Sequence, residues 1–298
     1  MAPPALAGAI PLPIADQARG SARRMAWMAP LLRERRIVAG VAILTAVSLM
    51  ALFADHLGTV DPRALDIGSR LLPTSAGHPF GTDQYGRDLY SRVVFGARVS
   101  LIVGIVTAVL SCIIGTFFGL LSAASRFSDA IVMRFMDGLM SIPPILLAVA
   151  LIGVAGGSIT NVVAAVTLVE LPRVARLVRG VALSLREQPY VEAAVAAGSP
   201  PWRIVVRHIL PSILSPLAVQ FAFVWAAAML IEAALSFIGA GLPPSTPSWG
   251  NIMSEAKALW QVKPSLIFIP AAMLSVTVLG VNLLGEGLRR AFDPRRGH

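Results

Sequence analysis

An all-α polytopic membrane protein with six transmembrane helices is the fold class predicted for this 298-residue chain. Hydrophobic residues make up 56% of it and charged residues 14%, where a soluble domain carries roughly 25% charged residues. Mean hydropathy is +0.74. The apolar residues gather in six runs of about the length that crosses a bilayer as a helix, and most of the basic residues fall in alternate intervals between the runs.

Residues 1–30 are expected to form a disordered tail, rich in Ala, Pro and Gly at its start. Its mild apolar stretch, Ala5 to Ile14, is broken by Pro11 and Pro13 and precedes the arginines, unlike a secretory signal. Residues 31–97 hold the first span, Ile37 to Ala54, led in by Arg33, Glu34, Arg35 and Arg36, and a long polar loop, 55–97. A five-helix core follows over 98–287. Its first helix, Val99 to Leu121, carries Gly115 and Gly119 at the four-residue spacing of a helix-contact face. The third span, Ala130 to Ala155, is expected to kink at Pro143–Pro144, with Arg134 and Asp137 three apart on one side. The fourth, Ile159 to Val178, contains Glu170 and Pro172; the fifth runs from Ile213 to Ile238 and the sixth from Ser265 to Leu284. Residues 288–298 form a basic tail.

Six spans put both termini on one side. With that side cytoplasmic, the inner segments hold 18 of the 25 basic residues and the outer loops seven, so the positive-inside rule favours this orientation. The outer arginines share the 55–97 loop with five aspartates, Asp83 and Asp88 among them.

A polar break at 184–212 then lies inside. Within it, Tyr190 to Ser212 reads as two short helices. Pro189 suits a first helical turn, Glu192 suits the positive end of the helix dipole, and Ala193 and Ala194 are strong helix formers. Gly198 is placed for a left-handed helix end. Ser199 is expected to cap the second helix with Pro200 at its first position, and Pro211 to mark its boundary. Trp202, Val205, Val206 and Ile209 form an apolar side, Arg203 and Arg207 a polar one.

Several chemistries are excluded. A phosphate-cradling loop ends in Gly-Lys-Ser/Thr, but Lys257 and Lys263 follow Ala256 and Val262, so no such ATP site is present. There is no HExxH or GxSxG, and the four histidines are scattered, which argues against a protease or metal enzyme. The basic charge lies between membrane spans, which argues against nucleic acid as partner. Cys112, the single cysteine, sits in an apolar run. Glu170 and Glu232 could each line a pathway or contact a neighbouring element, and with Asp137 they keep an ion-coupled secondary transporter as the alternative.

Glu192-Ala193-Ala194, Gly198 and Leu210-Pro211 together resemble the EAA loop of ABC importer permeases. A second triplet, Glu232-Ala233-Ala234, lacks the glycine spacing and lies outward. Three further stretches are similar to the peptide/nickel branch: His78 to Asp88 with Gly81, Asp83, Gly86, Arg87 and Asp88; Leu235 to Gly239 with Thr246 to Asn251 around Trp249; and Gly287 to Arg295. The order of the match, over about residues 30–296, is closest to the C-type subunit of dipeptide, oligopeptide and nickel importers. Pro200–Pro201 and Ser212 depart from the usual pattern.

The resemblance implies a type I importer permease fold in a bacterial or archaeal cytoplasmic membrane. It implies a B-type permease partner, two ABC ATPase subunits that hold ATP and Mg, and an extracytoplasmic substrate-binding protein, with no cofactor or metal in this chain. The 184–212 loop would dock on an ATPase. The outer loops 55–97 and 239–264, with Trp249 and Trp260 at the membrane interface, would form the mouth.

Overall fold

The computed structural model describes residues 34–292. The expected disordered tail and the Asp293–Arg295 end of the basic tail lie outside the described residues. Among the described residues the fold is helical, with a single isolated bridge between Thr82 and Asp88.

The elements are α1 (Arg35–Leu52), α2 (Leu89–Ala124), α3 (Arg126–Met140), α4 (Pro144–Ala155), α5 (Ile159–Arg186), α6 (Pro189–Ala196), α7 (Pro201–Ile204), α8 (Leu210–Ile238), α9 (Trp249–Glu255) and α10 (Ser265–Ala291). The main core is drawn from α1, α2, α5, α8 and α10 around Leu44, Val93, Val178, Met229 and Val281. A second cluster, around Val103, Ile152, Val166 and Leu235, fixes α4 against α2, α5 and α8.

Four stretches are long and apolar enough to cross a membrane: α1, α2, the rod Pro201–Ile238, and α10. The bent pair α3–α4 makes a fifth. The remaining expected span is α5, whose 28 residues reach about 42 Å; Glu170, Arg173, Arg176 and Arg179 lower its apolarity.

Three boundaries differ from expectation. Helix α2 starts at Leu89 rather than near Val99, because the Asp88 carboxylate accepts the Ser91 amide at 2.8 Å and caps it there. The third span is broken, with α3 and α4 meeting at 90° across Ser141–Pro143; Pro143 disfavours helical backbone at Ile142, and Pro144 starts α4. Pro211 ends no helix. A π turn over Val205–Ile209 joins α7 to α8, so Pro201–Ile238 is one 38-residue rod. The wide turn directly precedes the ring of Pro211, which lacks an N–H and crowds the preceding turn.

The Gly115/Gly119 face is a true contact. A Cβ on Gly115 would sit 2.6 Å from the Val174 Cβ, and one on Gly119 2.7 Å from the Ala175 carbonyl oxygen of α5. Gly119→Val is therefore expected to destabilise the α2–α5 pair by about 1–3 kcal/mol, read as a lower thermal midpoint of the detergent-solubilised protein.

Candidate coupling site

The α6–α7 segment folds as a knuckle at one end of the bundle. Helix α6 closes in a Schellman arrangement: the Gly198 amide bonds to the Val195 carbonyl at 2.9 Å, and the Ser199 amide to the Ala194 carbonyl at 3.1 Å. Gly198 has φ +76°, and an added Cβ would meet nothing within 4 Å. The requirement for glycine is thus conformational, since none of the described residues packs against it. The expected Ser199 cap is absent. Pro200 stands at the N-cap of α7 and Pro201 opens it, because the Ser199 amide and Gly198 turn are already committed to ending α6.

Three residues outside the motif anchor the knuckle. Val191, Ile204 and Ile209 are buried with Ala123 at the end of α2 and Ala182 near the end of α5. The expected apolar side of the second helix divides: Ile209 is buried and Val205 half-buried, whereas Trp202 and Val206 are 64% and 55% exposed. The π turn changes the rotation per residue, so spacing read for a plain α-helix misassigns them. The Arg203 guanidinium lies over the Trp202 ring at 5.5 Å, and Tyr190 and His208 pair at 6.2 Å. Arg203, Arg207 and Pro211 are exposed, and Leu210 is half-buried.

A cleft of about 570 Å³ separates the knuckle from the bundle, lined by Glu192, Val195, Ser199 and Arg186 among others. Glu192 and Ala193 are exposed, and Ala194 packs against the core. The second half of the knuckle continues without a break into the membrane-crossing rod Pro201–Ile238.

The opposite end, roughly 54 Å away along the 36 residues of α2, is a cap held by ion pairs. The Arg87 Nε donates to Asp83 at 2.7 Å, and Arg92, 2% exposed, donates to Asp83 at 2.7 Å and to Glu255 at 2.6 Å. Arg87 also donates to Glu255. Asp88 joins His78 at 3.0 Å. The Lys263 ammonium donates to the Leu72 and Thr82 carbonyls, and burial holds its pKa below the ordinary lysine value. Gly81 and Gly86 have positive φ, and a Cβ on Gly86 would overlap the Asp66 carbonyl oxygen at 1.7 Å. Asp83, Arg87 and Asp88 thus build the interior of the cap, which presents Tyr85 at its surface.

Trp249 is not at a membrane interface: it is fully buried, with Nε1 donating to the Val93 carbonyl at 3.0 Å, because the small Gly96 of α2 leaves room for it. Trp260 is exposed. The sequence assigns no role to Arg92 or Glu255, and places Asn251 in a family-like stretch without showing that it donates to the Leu242, Pro243 and Thr246 carbonyls. The Arg92–Glu255 partnership spans 163 positions.

The carboxylates within the spans take different places. Glu232 is fully buried, accepting from Ser236 at 2.9 Å and facing Ser100. Glu170 is 1% exposed and accepts from Arg173 at 2.7 Å. Asp137 pairs not with Arg134 but with Arg176 of α5, at 2.5 Å, because α3 packs along α5 and brings a guanidinium across the helix interface.

These features define a multi-pass helical transport subunit with a surface knuckle rigidly joined to one span. Residues 115–298 match the family described as binding-protein-dependent transport system inner membrane component, and the chain belongs to that family of ABC importer permeases. It is 47% identical over 88% of its length, and 90% of the relative's, to a probable peptide ABC transporter permease protein of Sinorhizobium fredii. It is 37% identical to a dipeptide transport system permease protein of Alkalihalophilus pseudofirmus, over 89% of this chain and 88% of that one. It is also 37% identical to a glutathione transport system permease protein of Pectobacterium atrosepticum, over 95% and 94%. Among solved structures, an inward-facing MetNI methionine ABC transporter shares the fold, with TM-score 0.58 at 20% identity, over 68% of this chain and 97% of that one. Membership in this family disfavours the ion-coupled alternative.

Proposed function

We propose that this chain forms half of the translocation pathway of an ATP-driven importer for peptides or a related small solute, and that the knuckle at 184–212 is where a separate ATPase subunit drives it. The observation that carries this is the knuckle itself: Val195, Trp202 and Val206 stand exposed beside an open cleft, uncovered by any of the described residues. Apolar side chains so grouped at an interface with water mark a partner surface. Glu192, Ala193 and Ala194 present the small face, Gly198 sets the turn, Arg203 and Arg207 offer charge to acidic ATPase surface or lipid headgroups, and Leu210–Pro211 joins the knuckle to α8.

The assembly comprises a second, B-type permease, two ABC ATPases holding ATP and Mg, and an extracytoplasmic binding protein. Closure of the ATPases tilts Pro201–Ile238 as a rigid body. The binding protein docks on the cap, whose ion-paired interior keeps its surface in shape. Both termini are cytoplasmic. The peptide cargo is inferred from relatives named for peptide, dipeptide and glutathione transport.

Co-expression with the permease, ATPases and binding protein encoded beside it tests the reading: a stable complex is expected whose ATP hydrolysis rises with loaded binding protein. Uptake by this chain alone, driven by a proton gradient, would sink it. For orientation, Ser199→Cys in a Cys112→Ser background is expected to react with an impermeant thiol reagent only from the cytoplasmic side, and labelling from outside reverses the topology.

A further inference from the structure

Helix α5 and its neighbour α3 carry a concentration of charge that the coupling reading does not use. Arg173, Arg176 and Arg179 recur every third position on α5. Arg176 meets Asp137 at 2.5 Å, and Arg179 meets Asp129 through both Nε and Nη2. Among the described residues Arg173 bonds only to buried Glu170, and it keeps a half-exposed side chain. Arg134 of α3 is exposed and has no carboxylate partner among the described residues. Four arginines against Asp129, Asp137 and Glu170 leave this face with one net positive charge.

Its depth is what matters. Arg173 lies about 20 Å along α5 from the end nearest α4, midway along the 28 residues of the helix that makes the remaining expected span. The Asp137–Arg176 pairing and the antiparallel run of α3 and α5 place Arg173 level with the α3–α4 break, where Ser141, Ile142 and Pro143 are exposed. An exposed guanidinium and irregular backbone at membrane depth are both tolerated only where protein or water covers them. Exposed apolar stripes suited to lipid or a partner lie on α1 (Val38, Val41, Leu49), on α10 (Phe268, Val276, Leu279) and on the adjoining side of α3 (Phe127, Ile131, Phe135); the charged stripe of α3 runs beside its apolar one.

We infer that the α3–α5 face lines a water-filled section of the translocation pathway and that Arg134 and Arg173 hold the carboxylate of a passing peptide at the α3–α4 break. The inference rests on the peptide-import reading for its cargo, and on the fold alone for its placement in water. A net cationic face with an unpaired guanidinium complements a carboxylate, and Arg134 and Arg173 still have free N–H donors for one.

The test uses the assembled complex in membranes, with Ser141→Cys as reporter in a Cys112→Ser background, so that every arginine is kept. Ser141→Cys is expected to react with an anionic methanethiosulfonate faster than with its trimethylammonium counterpart, after correction for their rates on free thiol. Val41→Cys on α1 is expected to stay unreactive. Adding Arg134→Gln and Arg173→Gln is expected to lower the anion preference about tenfold, and restoring charge with Lys at both positions to recover it. A reporter that reacts in this chain alone but is shielded in the complex assigns the face to the second permease and overturns the inference, as does a preference unchanged in the double variant. Uptake of trialanine as free acid and as C-terminal amide separates the two readings. If the complex imports the pair, the double variant loses the acid-over-amide preference, and an unchanged ratio overturns the inference. If no peptide is imported while the labelling holds, the cargo assignment fails and the aqueous cationic face stands.

Discussion

Gly198→Asp is expected to reduce transport by about two orders of magnitude, the scale of losing a central interface contact, while membrane insertion stays normal. The glycine sits at φ +76° in a turn that none of the described residues crowds. Aspartate is among the residues that tolerate this backbone conformation best, so strain within the subunit is small. The damage falls on the partner: a bulkier, negatively charged side chain projects from the turn between the exposed Val195 and Trp202. Co-purification of the ATPases and uptake by the reconstituted complex are the two measurements. Gly198→Asn, equally at ease in the left-handed region, separates charge from bulk, and retains more transport if charge dominates. Undiminished uptake with Gly198→Asp would remove the knuckle from the coupling path.

Arg92→Ala is expected to collapse the cap. Its guanidinium is 2% exposed and bridges Asp83 and Glu255, at 2.7 and 2.6 Å. Removing one partner from a buried ion pair leaves uncompensated charge and costs about 3–5 kcal/mol. Arg87 still touches both carboxylates, so it retains part of the network, but the buried Asp83 and the half-buried Glu255 then share one cation. Limited proteolysis within 55–88 is expected to accelerate strongly, with loss of binding-protein-stimulated ATP hydrolysis. Proteolysis at the wild-type rate would show that the cap is held by Trp249 and Asn251 instead. Arg92→Lys keeps the charge but not the two-armed reach, and is expected to fall between the two.

Much of this molecule was legible from sequence. Hydropathy marked the spans because lipid demands it residue by residue. Gly198 announced a left-handed helix end, and its Schellman bonds are in place. The small Gly115/Gly119 face met α5 as spacing required. The turn at Gly198 and the buried place of Ile209 on the apolar side were readable, but Val191 and Ile204, which anchor the knuckle with it, were hidden among many similar apolar residues. Trp249 was misplaced: nothing local tells a tryptophan that fills the space beside Gly96 from one at a membrane interface.

The sequence by itself determined the helical membrane class, the absence of an ATP-binding loop and the place of the turn at Gly198, since each follows from local chemistry: transfer to lipid, the identity of the residue before a lysine, and backbone freedom at one position. The tertiary structure alone decided that Pro211 is carried within a continuous rod, that Asp137 meets Arg176, that Arg92 meets Glu255, and that α3 and α4 part at a right angle beside Arg173. Those outcomes depend on which helices lie side by side, and pairings across tens to hundreds of positions are set by packing of whole faces rather than by any residue's own preference.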